Sequence, residues 1–155
     1  IVIALNILEN IDDEYIDYRI ASHPIRIFSD LQKYELFKHP LITPKKQLLN
    51  DKKNPINFKI LDFGIRVKEN LFEFRDKSCT IPSPLVMAYA LAVINSGKAK
   101  KIYCVGFDGY KAGDPRQEEV NNVWELYFKC ENHIEVTSLT NTTYNIPKSS
   151  IYSYL

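Results

Sequence analysis

The chain has 155 residues, 45% of them hydrophobic and 25% charged, and a formal net charge of +1, which is the size and balance of one globular domain. Near-neutral charge gives no electrostatic case for nucleic acid or an anionic membrane as partner, and no apolar run is long enough to span a bilayer. Three cysteines without metal-ligand spacing fit a reducing compartment, so a cytoplasmic location is expected.

Residues 1–5 form a continuous apolar run, as in a parallel strand covered on both faces, and Asn6 ends it. A chain that opens directly on a buried strand, with no polar lead-in, is expected to be a piece of a longer protein. Residues 12–17 are acidic and read as a short helix. Residues 18–22 read as a second strand, closed by His23-Pro24, where the proline turns His23 away from helix. A helix is predicted over 25–34, with Ile27, Phe28 and Leu31 on one side. His39-Pro40, Thr43-Pro44 and Asn54-Pro55 punctuate the middle. There, residues 41–43 and 58–63 read as strands and 45–57 as an exposed loop. Residues 64–77 alternate poorly and give no firm element.

The second half is more regular. Ser83 as N-cap, Pro84 at the first helical position and Gly97 as a stop predict a helix over 84–96. It is almost wholly apolar, hence central, and Ala88, Ala90 and Ala92 permit close approach to a sheet. Lys98, Lys100 and Lys101 read as a solvated helix-to-strand loop. A buried strand comes next, ending in Gly106-Phe107-Asp108-Gly109-Tyr110. Asp114 with Gln117 resembles a capping box. It opens an amphipathic helix in which Val120, Val123, Trp124 and Tyr127 recur at helical spacing. Residues 134–139 alternate, as in an edge strand or a strand with a solvated face. The polar, tyrosine-rich tail is expected to fold back over the sheet. The order of elements predicts an α/β domain with a three-layer, Rossmann-like and mostly parallel sheet.

In such sheets ligands sit beyond the carboxyl ends of the strands, which directs attention to residues 108–116 and to Asn6. The Asp108 carboxylate suits the hydroxyls of a ribose or sugar, or the role of a base; Asp-Gly is equally a common turn pair. Gly106 and Gly109 admit a ligand close to the backbone or serve a plain turn. Arg116 at a helix start suits a phosphate or carboxylate, against the alternative that Asp114 is a cap and Arg116 a surface side chain. Asn6 either binds ligand or caps a helix after the first strand. His23, beside Arg26, is a candidate acid or base, or a solvated loop residue. Tyr144, Ser149, Ser150 and Tyr152 bring hydroxyls that either meet a sugar or phosphate or cover the sheet. Cys104 reads as a core residue. No His, Cys or carboxylate spacing points to a metal, and no cofactor is read.

A resemblance joins several of these segments. Ile1-Val2-Ile3-Ala4-Leu5-Asn6, Ile102-Tyr103-Cys104-Val105-Gly106-Phe107-Asp108-Gly109-Tyr110, Asp114-Pro115-Arg116-Gln117 and Ser138-Leu139-Thr140-Asn141-Thr142-Thr143-Tyr144 with Ser150-Ile151-Tyr152 resemble the C-terminal domain of aldolase-like proteins from bacterial surface-polysaccharide gene clusters. The N-terminal part of those proteins is similar to the hydroxymethylglutaryl-CoA lyase and 4-hydroxy-2-oxovalerate aldolase barrels. More distantly, the strand-turn pattern is similar to Campylobacter-type sialyltransferases and to the motility-accessory-factor and hydroxymethylpterin-pyrophosphokinase-like group. The resemblance implies a pocket for a nucleotide or nucleotide-sugar near Asn6, Gly106 and Asp108, and an upstream domain of the same parent chain as partner. The Gly-Pro-Ser type loop of those relatives has no counterpart among the five glycines, and no histidine matches the sialyltransferase catalytic one. Whether the chain is itself an enzyme therefore stays open. The alternatives are an accessory domain docked on an aldolase barrel, and a diphosphate-transfer enzyme whose Mg²⁺ carboxylates would be Asp108 and Asp114.

Overall fold

Four short strands, β1 (Ile3–Leu5), β2 (Tyr18–Ile20), β3 (Leu41–Thr43) and β4 (Ile60–Asp62), lie side by side in chain order and all run parallel. They belong to a computed structural model that describes residues 1–8, 10–48, 55–111 and 113–154. A second sheet holds β5 (Gly64–Val67), β6 (Glu73–Arg75) and β7 (Ser78–Ile81) in the order β5-β7-β6, with β5 parallel and β6 antiparallel to β7. β8 (Ile102–Cys104) and β9 (Val136–Ser138) form a third, parallel pair. The helices are α1 (Pro24–Ser29), α2 (Leu31–Leu36), α3 (Lys45–Leu48), α4 (Val86–Ser96) and α5 (Pro115–Phe128). The fold is mixed α/β with mostly parallel sheets, as the sequence predicts. Among the described residues no helix is long and apolar enough to cross a membrane.

The main core gathers around α4. Met87 through Ala92 are all buried, and Tyr89 donates a 2.5 Å hydrogen bond from its hydroxyl to the Phe63 carbonyl. Val123, Trp124 and Tyr127 bury the inner face of α5 against the same cluster, each large side chain contributing on the order of 2 kcal/mol. Asn95 joins the two helices: its Nδ2 donates to Leu91 O and to the Tyr127 hydroxyl, and its Oδ1 accepts from the Ile134 backbone N–H. A smaller cluster of Ala21, Ile27, Tyr34, Leu41 and Leu48 lies under the first helices.

Several predicted elements are corrected. The helix over 25–34 is two helices, because Asp30 leaves helical geometry at φ −110°, ψ 20°. The acidic stretch 12–17 makes only a 3₁₀ turn at Asp13–Tyr15. Its Asp13 carboxylate accepts from Nε and Nη2 of Arg19, whose guanidinium is 1% exposed and stacks 3.6 Å from the Phe37 ring centre. Residues 64–77 contain β5 and β6. α4 begins two residues later than the Ser83-Pro84 signal, with Leu85 at the N-cap; the Ser83 hydroxyl is buried without a partner among the described residues. Gly97 keeps right-handed geometry, and Lys98 takes the left-handed position at φ 55°. The loop predicted over 45–57 begins with α3, whose Leu48 is buried; residues 49–54 lie outside the described residues.

The last strand departs furthest from its pattern. β9 is buried along its whole length, although residues 134–139 alternate. Ser138 donates its N–H to Pro147 O, and Ser149 donates to Ser138 O. The tail thus folds back as expected and pairs with Ser138.

Candidate functional site

A cleft of about 500 Å³ opens where β1 and β8 end and α4 begins. Ile3, Leu5, Met87 and Val120 line its apolar part; Gly106, Asp108, Gly109, Tyr110 and Tyr144 line its rim. This is the carboxyl end of parallel strands, where the open α/β architecture leaves room for ligands.

The turn after β8 gives the rim its shape. Gly106 and Gly109 have φ of +75° and +95°, which glycine adopts without the Cβ penalty. The Gly106 N–H donates to Thr140 Oγ1 at 3.1 Å. The Asp108 carbonyl accepts the Thr143 N–H at 2.8 Å. The Thr143 hydroxyl stands 3.3 Å from both Asp108 O and Gln117 Oε1. Gln117 also accepts the Tyr110 N–H and donates to Thr143 O. The backbone of Asp108 is therefore tied down, while its exposed carboxylate engages no group among the described residues. It does not close on its own turn.

The start of α4 lines the same cleft. Leu85 caps it without a side-chain hydrogen bond, so the first-turn N–H groups near Leu85, Val86 and Met87 present the positive end of an 11-residue helix. The sequence places this helix start at Ser83-Pro84 and so misses its contribution to the cleft. Tyr144 is buried to 7% exposure on the rim; burial raises its phenol pKa, with Tyr110 adding to the effect.

Arg116 and Asp114 lie outside this lining, beside Tyr110. Arg116 Nη2 meets Asp114 Oδ2 at 2.6 Å and Nε meets Oδ1 at 3.0 Å, while the guanidinium carbon sits 4.4 Å from the Tyr110 ring centre. Hydrogen bonds from the Arg116 side chain and backbone lower the Asp114 pKa, and the same pairing raises that of Arg116. Asp114 is the cap of α5, accepting the Arg116 N–H at 2.9 Å. The predicted capping box does not form, because Gln117 turns to Tyr110 and Thr143. Arg116 reaches the cleft only through Tyr110, and its charge is already paired.

Asn6 is not part of the cleft wall. At φ 57° it turns the chain out of β1, its N–H held by Ile20 O at 2.8 Å, while its neighbours Leu5 and Leu8 line the cleft. His23 is exposed at the start of α1, beyond β2, and is not in the lining. Gly106, Asp108, Gly109 and Tyr144 are thus brought together around one space, Arg116 and Asp114 lie outside its lining beside Tyr110, and Asn6 and His23, which follow β1 and β2, are not in the lining either. Among the described residues no cluster of His, Cys, Asp and Glu is arranged to hold a metal.

Comparison with protein-family models, with curated proteins and with solved structures gives no match for the chain.

Proposed function

We propose that this is a three-layer, Rossmann-like domain that binds a nucleotide or nucleotide-sugar, related in role to glycosyltransferases. Its setting would be a cytoplasmic protein of bacterial surface-polysaccharide biosynthesis, beside an upstream domain of the same parent chain. One observation carries the reading: Asp108, whose carboxylate engages no group among the described residues, lines the same cleft as the start of α4, which has no side-chain cap. A carboxylate recognises vicinal hydroxyls by accepting their hydrogen bonds, and a helix N-terminus favours a phosphate. The apolar wall of Leu5, Met87 and Val120 suits the face of a base or sugar.

Arg116 enters this reading as a support for Tyr110 rather than as a direct anion ligand, since Asp114 already holds it. The same ion pair argues against a Mg²⁺ site built from Asp108 and Asp114. Amide NMR with CMP, a CMP-sugar and other nucleotides tests the proposal. Saturable shifts centred on Gly106, Gly109 and Val86 are expected. Shifts absent with every nucleotide, or spread over unrelated surfaces, would favour the accessory docking domain.

A further inference from the structure

The ring of Tyr144 belongs to the main core, and the residue is only 7% exposed. The other two buried tyrosines of that cluster spend their hydroxyls inside the protein: Tyr89 donates to the Phe63 carbonyl and Tyr127 to the Ile134 carbonyl. Such pairing is the ordinary state of a buried phenol. The Tyr144 hydroxyl differs, because it bonds no group among the described residues. Ser83 Oγ and Trp124 Nε1 are sealed in without a partner among the described residues, but the Tyr144 hydroxyl is not one of the sealed atoms. It therefore keeps an opening to solvent, and the space that Tyr144 lines is the cleft. The backbone around it is held on both sides. Tyr144 N–H donates to Thr142 Oγ1 at 3.1 Å, and Tyr144 O accepts the Ile146 N–H at 2.9 Å. Thr143, its neighbour, is bonded to the Asp108 carbonyl and to Gln117. Burial raises the phenol pKa, so near neutral pH the hydroxyl keeps its proton and donates.

We propose that Tyr144 is a ligand-binding residue, whose hydroxyl donates to a phosphoryl oxygen of the molecule held in this cleft. The start of α4 lines the same cleft, and its first-turn N–H groups have no side-chain cap. They are donors too, and they favour negative charge. Among the described residues of the lining, Asp108 alone is charged, and a carboxylate only accepts. A ligand that meets both kinds of group carries an anion and hydroxyls in one molecule, as a sugar phosphate or a nucleotide does. An anion without hydroxyls leaves Asp108 unmet, and a neutral sugar leaves Tyr144 and the helix start unmet. A cleft of about 500 Å³ is the size that one such molecule fills. The inference rests on the nucleotide reading of this cleft and deepens it. It assigns the phosphoryl end to Tyr144 and α4 rather than to Arg116, whose guanidinium is taken by Asp114.

The test is calorimetry of the 155-residue chain and of Tyr144→Phe with CMP, cytidine and inorganic pyrophosphate. The substitution keeps the ring and removes only the hydroxyl, so the urea midpoint of the variant should not fall. CMP is expected to bind the variant roughly tenfold more weakly, as the loss of one hydrogen bond to a charged group implies, whereas cytidine binds both proteins alike. Pyrophosphate that binds the native chain but not the variant, with CMP and cytidine binding neither, would uphold the phosphoryl site and overturn the nucleotide reading. Equal binding of CMP by both proteins would overturn the role of Tyr144 and leave the nucleotide reading standing. CMP and cytidine weakened alike, or a fallen midpoint, would show a packing role and overturn the proposal. A native chain that binds none of the three probes would overturn both.

Discussion

Gln117, in the first turn of α5, reaches back to Tyr110: its Oε1 accepts the Tyr110 N–H at 2.8 Å, and its Nε2 donates to Thr143 O at 3.2 Å. One side chain thus joins three segments, the turn after β8, the helix beyond it and the tail. The rim of the cleft is held by this junction.

The two glycines of the turn should respond differently to alanine. At Gly109 a Cβ would collide with the Thr143 hydroxyl, and φ is +95°; at Gly106 only φ, at +75°, opposes it, with open space around the new methyl. Gly106→Ala should cost ~1 kcal/mol of stability from backbone strain. Gly109→Ala should cost more, about 2–3 kcal/mol, since Thr143 must move as well. Urea unfolding of both variants checks the order.

Arg19 is almost fully buried and depends on Asp13 for its charge. Asp13→Ala should destabilise the fold by about 3–5 kcal/mol, the range for leaving a buried charge uncompensated. Its Nη1 has no partner among the described residues, so there is little reserve. Thermal unfolding of this variant beside Glu14→Ala, an exposed neighbour, separates the ion pair from general effects of charge.

The Asp114 carboxyl should titrate below the ordinary aspartate value of about 3.9, because Arg116 bonds to its charged form. A folded-state pKa below the unfolded one means that the pair stabilises the fold above the unfolded value. That contribution is lost as pH falls through the folded value. Carbon-detected NMR of the side chain measures the midpoint, and Arg116→Gln should move it up.

Cys79 and Cys104 are buried, and burial pushes their thiols up to about 12 and about 11. Cys130 is half-buried, and its Sγ donates to Phe72 O at 3.1 Å. Near neutral pH a thiol reagent should therefore label Cys130 first, and the other two only as the chain unfolds. Mass spectrometry over a labelling time course reads this directly.

The sequence makes the parallel strands and the central helix legible because their cues are local. An unbroken apolar run such as residues 1–5 or 102–105 has few other solutions, and Val120, Val123, Trp124 and Tyr127 mark α5 by period. The turn after β8 is legible for the same reason, through Gly106 and Gly109. Long-range pairing is not written locally. Residues 134–139 read as half-solvated, yet Val136–Ser138 are buried, and residues 147–149 return from far along the chain to bond Ser138. Gln117 reads as half of a capping box, and only the proximity of Tyr110 and Thr143 draws it away. The helix start facing the cleft is hidden because Ser83-Pro84 mimics a cap two residues early.

The proposed nucleotide site rests on Asp108, so calorimetry of the native chain and of Asp108→Ala with CMP and a CMP-sugar is the most direct test. The account predicts saturable binding to the native chain, weakened by a factor of ten or more in the variant, as the loss of a charge-assisted hydrogen bond of about 1.5–3 kcal/mol implies. Equal binding by both proteins, or binding by neither, would contradict it.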